Sequence, residues 1–307
     1  MPPLSVRKLS PNLGNEVLDV DLTLLSDSTF AAIRDLWQRD PLVLFRRQSL
    51  TEVELIEFSR RFGELDKHTV KDLFDEATTD YRDPSLFFIS NLRFADGTRV
   101  GGLSNSEVVW HTDLIYRSNP VSGTIFYAIE MPDGQGSTSF CNMAHAYDTL
   151  PTGLRNDIST LKTRCKYFTK NPLSSTMRDA INKGHHLEAE SDSEENLNNI
   201  DQRTPPVIHP LVLENPATGQ CSLYMSPNHT EAIEDMGHDQ AQPLFDRLLE
   251  HALRPDNIYR HQWRNGDVLL WDNVRLLHRR DGFDDRLPRL AKRTTVYMDP
   301  MRFAVAS

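Results

Sequence analysis

The chain is poor in the features that would assign it to several large classes. It carries three cysteines in 307 residues, Cys141, Cys165 and Cys221, odd in number and far apart. That spacing fits neither a disulfide framework nor a Cys-x-x-Cys zinc site, and points to reduced thiols in a cytosol. Long hydrophobic runs are missing: stretches such as Pro41-Leu42-Val43-Leu44-Phe45 fall far short of the ~20 apolar residues of a bilayer span. The Met1-Pro2-Pro3-Leu4-Ser5-Val6-Arg7-Lys8 start lacks the apolar segment of a secretory signal, so a cytoplasmic location and no membrane partner are expected. Basic residues are outnumbered, and the net charge of −10 argues against a nucleic-acid partner, since phosphate binding is driven by basic surface. No internal repeat is visible. The 38% of hydrophobic residues is ample for a buried core, and the length permits one large domain or two smaller ones. Homo-oligomerisation is compatible with such a sequence.

Along the chain, local signals alternate between strand and helix. Asp27 or Ser28 can cap a helix in which Phe30, Ile33, Leu36 and Trp37 recur at helical spacing, and Pro41 ends it. Leu42 to Phe45 reads as a buried strand. Thr51-x-x-Glu54 has capping-box form and opens a second helix that places Leu55, Phe58 and Phe62 on one face, with Gly63 closing it. Residues 66–83 are charged and aperiodic, a loop able to cover a site. Strand-like runs follow at 86–89, 123–129, 137–141, 210–213 and 221–225, with helices at 144–150, 154–161 and 241–253. Tyr259 to Trp263, the Asn265-Gly266 turn and Asp267 to Trp271 carry a hairpin signal, and 294–298 reads as a closing strand. Residues 171–204 are rich in Ser, Asn and acidic side chains and read as a solvated insertion within one domain spanning 1–307. The pattern of many short strands with a few helices predicts a mixed α/β, mainly β chain: a jelly-roll (double-stranded β-helix) core with covering helices.

Within this pattern, Val109-Trp110-His111-Thr112-Asp113 places an imidazole and a carboxylate two residues apart. In an extended strand both would leave the same face, roughly 6–7 Å apart at the backbone, a separation suited to one shared metal ion. His-x-Asp alone is common. Its weight comes from its company: Phe140-Cys141-x-Met143, Ala146-Tyr147-Asp148-x-Leu150-Pro151, Gly266-Asp267-Val268-x-x-Trp271-Asp272-Asn273, and His278.

Together these motifs resemble the iron(II)/2-oxoglutarate-dependent dioxygenases of the taurine dioxygenase/dichlorophenoxyacetate dioxygenase group, from Phe62-Gly63-x-Leu65 to Met298. The resemblance implies that His111, Asp113 and His278 form a facial triad on Fe(II), whose open positions take 2-oxoglutarate and O2. It puts the far carboxylate of 2-oxoglutarate on Thr138 and Arg289, the planar guanidinium being suited to bidentate carboxylate binding. It further implies decarboxylation to succinate and CO2 coupled to hydroxylation of a small anionic organic substrate, an aryloxyalkanoate or other carboxylate, a sulfonate or a sulfate ester. Related halogenases have a small residue where this chain keeps Asp113, so hydroxylation is expected. For the substrate anion, the family positions fall on His68, Lys71 and Arg293. Glu107 departs from the family's polar amide and would add negative charge near the site. Trp110 and Trp271 read as core residues; His145, His209, His229, His251 and His261 read as structural, and His185-His186 as solvent-facing. Two other classes share part of the pattern: a metal-binding jelly roll without turnover, and a metal-dependent hydrolase, which would have no use for Thr138 and Arg289.

Overall fold

The alternation of apolar side chains along three strands decides the layering. In β3 (Leu42–Phe45), Leu42 and Leu44 join one buried cluster while Val43 and Phe45 join another. β6 (Val121–Glu130) divides Ile125 and Tyr127 from Phe126 and Ala128 in the same way, and β14 (Val268–Asp272) divides Val268 and Leu270 from Leu269 and Trp271. Strands apolar on both faces must be covered on both. One cover is helical: Phe30, Ile33 and Trp37 of α1 (Asp27–Arg39) with Leu55, Ile56 and Phe58 of α2 (Glu52–Arg60). The other is a second sheet, which contributes Phe140 and Leu276. On the far side of that sheet, Cys141 and Leu277 pack with α3 (Met143–Asp148), α4 (Thr152–Ile158) and α6 (His238–Ala252). The order through the molecule is therefore helices, larger sheet, smaller sheet, helices.

The computed structural model describes residues 4–67, 83–102, 105–167, 172–182, 204–215, 217–297 and 304–305. Its larger sheet runs β1 (Val6–Lys8), β2 (Asn15–Val17), β3, β14, β6, β16 (Leu290–Tyr297), β4 (Phe87–Ser90), antiparallel except for the β2–β3 pair. The smaller runs β13 (Ile258–His261), β7 (Thr138–Asn142), β15 (Leu276–Arg280), β5 (Val108–His111), antiparallel throughout. Two further sheets flank these: β12 (Thr230–Ile233), β8 (Lys162–Cys165) and β9 (Val207–Pro210), and β11 (Gln220–Leu223), β10 (Val212–Asn215) and β17 (Ala304–Val305). The chain is mainly β with covering helices, and no helix among the described residues is long and apolar enough to cross a membrane.

Local chemistry accounts for the helix starts. Ser26, and not the expected Asp27 or Ser28, caps α1 by accepting from the Thr29 amide, whereas Thr51 and Glu54 form the expected capping box of α2. The hairpin expectation is corrected. The segments around Asn265-Gly266 do not pair as a hairpin: β13 belongs to the smaller sheet and β14 to the larger. Gly266 does turn the chain, at φ +84°, but both hydrogen-bonding edges of β14 are taken by β3 and β6, so β13 finds its partner in β7. The buried Asp267 carboxylate holds this corner, accepting from Arg46, His261 and the Arg264 amide. The polar insertion expected over 171–204 carries α5 (Ser175–Asn182), anchored by buried Leu173 and Met177 and by the Ser175 amide on Asp246. Residues 183–203 and most of the expected covering loop, 68–82 with His68 and Lys71, lie outside the described residues.

Candidate active site

The smaller sheet sets side chains in two rows on its inward face. His278 of β15 pairs across with His111 of β5 and Phe140 of β7, so these three form one row. Two residues along, Arg280 pairs with Thr138, which in turn faces His261 on β13; these form the next. The strand rise separates the rows by roughly 6–7 Å.

Asp113 reaches the first row by a different route from the one the sequence suggests. β5 ends at His111, and Asp113 lies in the following turn, where Leu114 has φ +54°. The turn still delivers the carboxylate: His111 Nε2 and His278 Nε2 each stand 3.8 Å from Asp113 Oδ1, and the three ligand atoms lie within 4.8 Å of one another. These separations are too long for hydrogen bonds and suit donors grouped around a shared cation. The tautomer of His111 agrees. Its Nδ1 is 2.8 Å from the Val109 carbonyl, which can only accept, so Nδ1 carries the proton and Nε2 offers a lone pair.

Buried polar groups behind the triad hold the carboxylate. Thr124 donates to Asp113 Oδ2 at 3.0 Å and accepts from Asn273 Nδ2 at 2.8 Å. Asn273 also accepts from Trp271 Nε1, and its carbonyl accepts from the Thr112 hydroxyl. Burial alone would raise the Asp113 pKa, but Arg293, His278 and His111 together with Thr124 hold it well below the ordinary carboxylate range. Burial and the neighbouring His111 push His278 down to about 3, keeping its imidazole neutral and able to bind metal at ordinary pH. A dication fits this donor set of one carboxylate and two neutral imidazoles.

Thr138 and Arg289 also lie near one another. Thr138 is buried on β7 and accepts from Trp263 Nε1 at 2.9 Å. Arg289, 2% exposed, donates from Nη1 to the Gly136 carbonyl, two residues before Thr138, and its Nε has no partner. Among the described residues no carboxylate pairs with it. Burial and then Arg280 lower its pKa, marking the guanidinium as a cation lacking a counter-ion. Gly136 is required here: at φ +62°, an added Cβ would come within 2.7 Å of Arg289 Nη1.

Arg293 joins the first row from the larger sheet. Its Nη1 is 3.2 Å from Asp113 Oδ1 and its guanidinium lies over Phe87. Glu107 does not join. It is exposed, with Arg279 Nη1 at 3.7 Å, and Arg279 leaves β15 on the face opposite His278 and rests on Trp110. Trp271 is buried in the core, as expected. Of the histidines expected to be structural, His229 lies within the electrostatic reach of His111 and Asp113; burial, then His111, pushes it down to about 4. A hydrogen-bonded path joins it to the metal-site turn: the Thr112 amide donates to Ser226 Oγ, Ser226 to Asn228 Oδ1, and Asn228 Nδ2 to His229 Nε2. Sequence reasoning passed over His229, Thr124 and Trp263 because isolated His, Thr and Trp carry no spacing signal. Asn273 lay inside a motif, but its hydrogen bonds come from three separate segments.

Comparison with known proteins agrees with this geometry. The family model described as "Taurine catabolism dioxygenase TauD, TfdA family" matches residues 5–295. The chain is 29% identical over 299 residues to an alpha-ketoglutarate-dependent 2,4-dichlorophenoxyacetate dioxygenase of Cupriavidus pinatubonensis, covering 95% of this chain and 96% of that one. It is also 29% identical, over 268 residues, to pentalenolactone F synthase of Streptomyces arenae, covering 84% and 83%. A taurine dioxygenase structure from Burkholderia xenovorans superposes with a TM-score of 0.74 at 28% identity, covering 98% of this chain and 94% of that one. With a donor triad of the expected kind in place and a family match over nearly its whole length, the chain belongs to the TauD/TfdA family of alpha-ketoglutarate-dependent dioxygenases.

Proposed function

We propose that His111, Asp113 and His278 hold Fe(II), that Thr138 and Arg289 bind the far carboxylate of 2-oxoglutarate, and that Arg293 faces the anionic group of a small organic acid. The observation that carries this reading is a convergent His/Asp/His set with the buried Thr138 hydroxyl one strand repeat away and the buried Arg289 guanidinium bound to the Gly136 carbonyl, two residues before Thr138. Between the rows lie roughly 6–7 Å. A five-carbon diacid spans about 5 Å, from carbon–carbon bonds of about 1.5 Å, so it can reach from the triad to Thr138 and Arg289. A hydrolase would leave Arg289 buried without a counter-ion, and a purely structural metal site would not need it.

When bound, the iron supplies the redox chemistry that couples decarboxylation of 2-oxoglutarate, to succinate and CO2, to hydroxylation of the substrate by O2. The chain's own residues orient and select. Thr124 and Asn273 fix the Asp113 carboxylate, the Val109 carbonyl fixes the His111 tautomer, and Trp263 fixes the Thr138 hydroxyl. Arg293, only 14% exposed at its side chain, brings a permanent positive charge to the side of the triad reached from the larger sheet. That charge suits a carboxylate, sulfonate or sulfate ester. The relatives named for 2,4-dichlorophenoxyacetate and taurine bracket this range. We further infer that the two main sheets form a double-stranded β-helix in one domain. The crossing between sheets at Gly266 supports this, as does a site drawn from both sheets.

Anaerobic addition of Fe(II) and 2-oxoglutarate should give a weak visible charge-transfer band. Its absence at saturating ligand, or its survival in Asp113→Leu, would sink the assignment. Succinate release across a panel of carboxylates, sulfonates and sulfate esters should then identify the substrate class. Arg293→Ala should raise the substrate KM while leaving 2-oxoglutarate affinity nearly unchanged; the reverse pattern would refute the role given to Arg293.

A further inference from the structure

The oxygen of Asp113 that faces the two imidazoles is already in contact with a cation. Asp113 Oδ2 is taken by the Thr124 hydroxyl, which leaves Oδ1 turned towards His111 Nε2 and His278 Nε2, 3.8 Å from each. Arg293 Nη1 stands on that same Oδ1, at 3.2 Å. It comes from β16 of the larger sheet, whereas the imidazoles come from β5 and β15 of the smaller. Both charged side chains are largely buried, 14% and 7% exposed, so water and salt screen the pair little. Burial opposes the charge on this carboxylate, and of the neighbours that keep it ionised Arg293 acts most strongly, ahead of His278 and His111. The guanidinium still has a donor to offer: among the described residues its buried Nε finds no hydrogen-bond partner.

We propose that Arg293 is a place-holding cation that competes with the metal ion for Asp113 Oδ1, and that the anionic group of the substrate draws it away, so that substrate and metal tighten each other's binding. The proposal rests on the placement of the metal at the triad and of the substrate anion at Arg293 argued above. In the metal-free protein the guanidinium neutralises a buried carboxylate whose hydrogen-bond donor is otherwise the Thr124 hydroxyl. A dication bound through the same oxygen meets that positive charge at close range, and each weakens the other's hold on Asp113. An anion that pairs with the guanidinium offers it a different partner and leaves Oδ1 to the metal. By linkage, the factor by which the anion tightens the metal equals the factor by which the metal tightens the anion. The metal is therefore held most firmly when substrate is present.

The test is Mn(II) affinity, read by electron paramagnetic resonance, in wild type, Arg293→Gln and Arg293→Lys. Arg293→Gln removes the charge and should tighten Mn(II) about tenfold or more, while lowering the melting temperature of the metal-free protein. A residue that only shaped the site would weaken both. Arg293→Lys keeps the charge and should bind Mn(II) within about threefold of wild type. Should the glutamine variant fail to fold, Arg293→Met, which keeps an unbranched stem beside Phe87, carries the same expectation. Unchanged or weaker Mn(II) binding in the neutral variant overturns the proposal, as does a lysine variant that gains as much affinity as the neutral one. The second half is tested with the acid of the panel above that releases most succinate, at saturating concentration. It should tighten Mn(II) in wild type by a factor at least about threefold larger than in Arg293→Gln, which has no charge to hand over. Equal factors would mean direct attraction between anion and metal, and would overturn the handover. A substrate KM that does not rise in Arg293→Gln instead overturns the placement of the substrate anion at Arg293, and leaves the competition for Asp113 to stand on the Mn(II) data.

Discussion

Thr124 gives the sharpest test of how the metal carboxylate is held. It is fully buried on β6, its hydroxyl donating to Asp113 Oδ2 while accepting from Asn273 Nδ2. Thr124→Val keeps the shape of the side chain and removes both roles. A hydrogen bond to a charged group contributes about 1.5–3 kcal/mol, and each 1.4 kcal/mol is tenfold in an equilibrium constant. Loss of orientation at Asp113 should therefore raise the metal dissociation constant about 10- to 100-fold, the range typical for partners that orient metal ligands. The Asn273 amide, left without its acceptor, should cost the metal-free protein a further ~1–3 kcal/mol. Mn(II) titration, reading free ion by electron paramagnetic resonance, measures the first effect, and thermal melting of the metal-free protein the second. Thr124→Ser keeps the hydroxyl and should bind Mn(II) within a few fold of wild type. Unchanged affinity in the valine variant, or an equal loss in the serine variant, would refute the claim that this hydroxyl orients the carboxylate.

The other tests concern the co-substrate pocket and acid stability. Gly136→Ala should raise the KM for 2-oxoglutarate about tenfold or more, because its Cβ would meet Arg289 Nη1 at 2.7 Å and the backbone sits at φ +62°; a KM within twofold of wild type would contradict it. Trp263→Phe removes the donor that orients Thr138 and should raise the same KM by several-fold without altering metal affinity, as steady-state and Mn(II) titrations would show. The buried imidazoles make the metal-free protein acid-labile. His278 and His229 titrate near 3 and 4 in the folded chain against an ordinary value of 6.5, so the folded state binds fewer protons, and stability falls as pH drops below about 6.5. Burial is the leading cause for both. By pH 5 the His229 share is about 2 kcal/mol, from 1.36 kcal/mol per pKa unit. Melting curves of metal-free His229→Phe should therefore fall less steeply between pH 7 and pH 5 than wild type; parallel curves would exclude the histidine as a cause.

Much of this molecule follows from local order in the chain. The capping box at Thr51 and Glu54, the buried strand at Leu42–Phe45 and the helices on either side of Pro151 depend on neighbours a few residues apart, which is why spacing alone places them. The candidate metal donors and Arg289 could be singled out because the chemistry proposed for them demands particular residue types at positions that recur within a family. The sequence could not show which edge a strand would pair with. β13 and β14 have hairpin chemistry between them, yet competition for the edges of β14, settled by strands far away in the chain, sends them to different sheets. That separation positions the Thr138 and Arg280 row beside the triad. It also places Thr124 and Arg293 of the larger sheet against Asp113, which is delivered by a turn and not a strand. The sequence alone singled out the residues proposed to carry the chemistry. Only the packing of two sheets against each other decided which cations and hydroxyls would share the space around them.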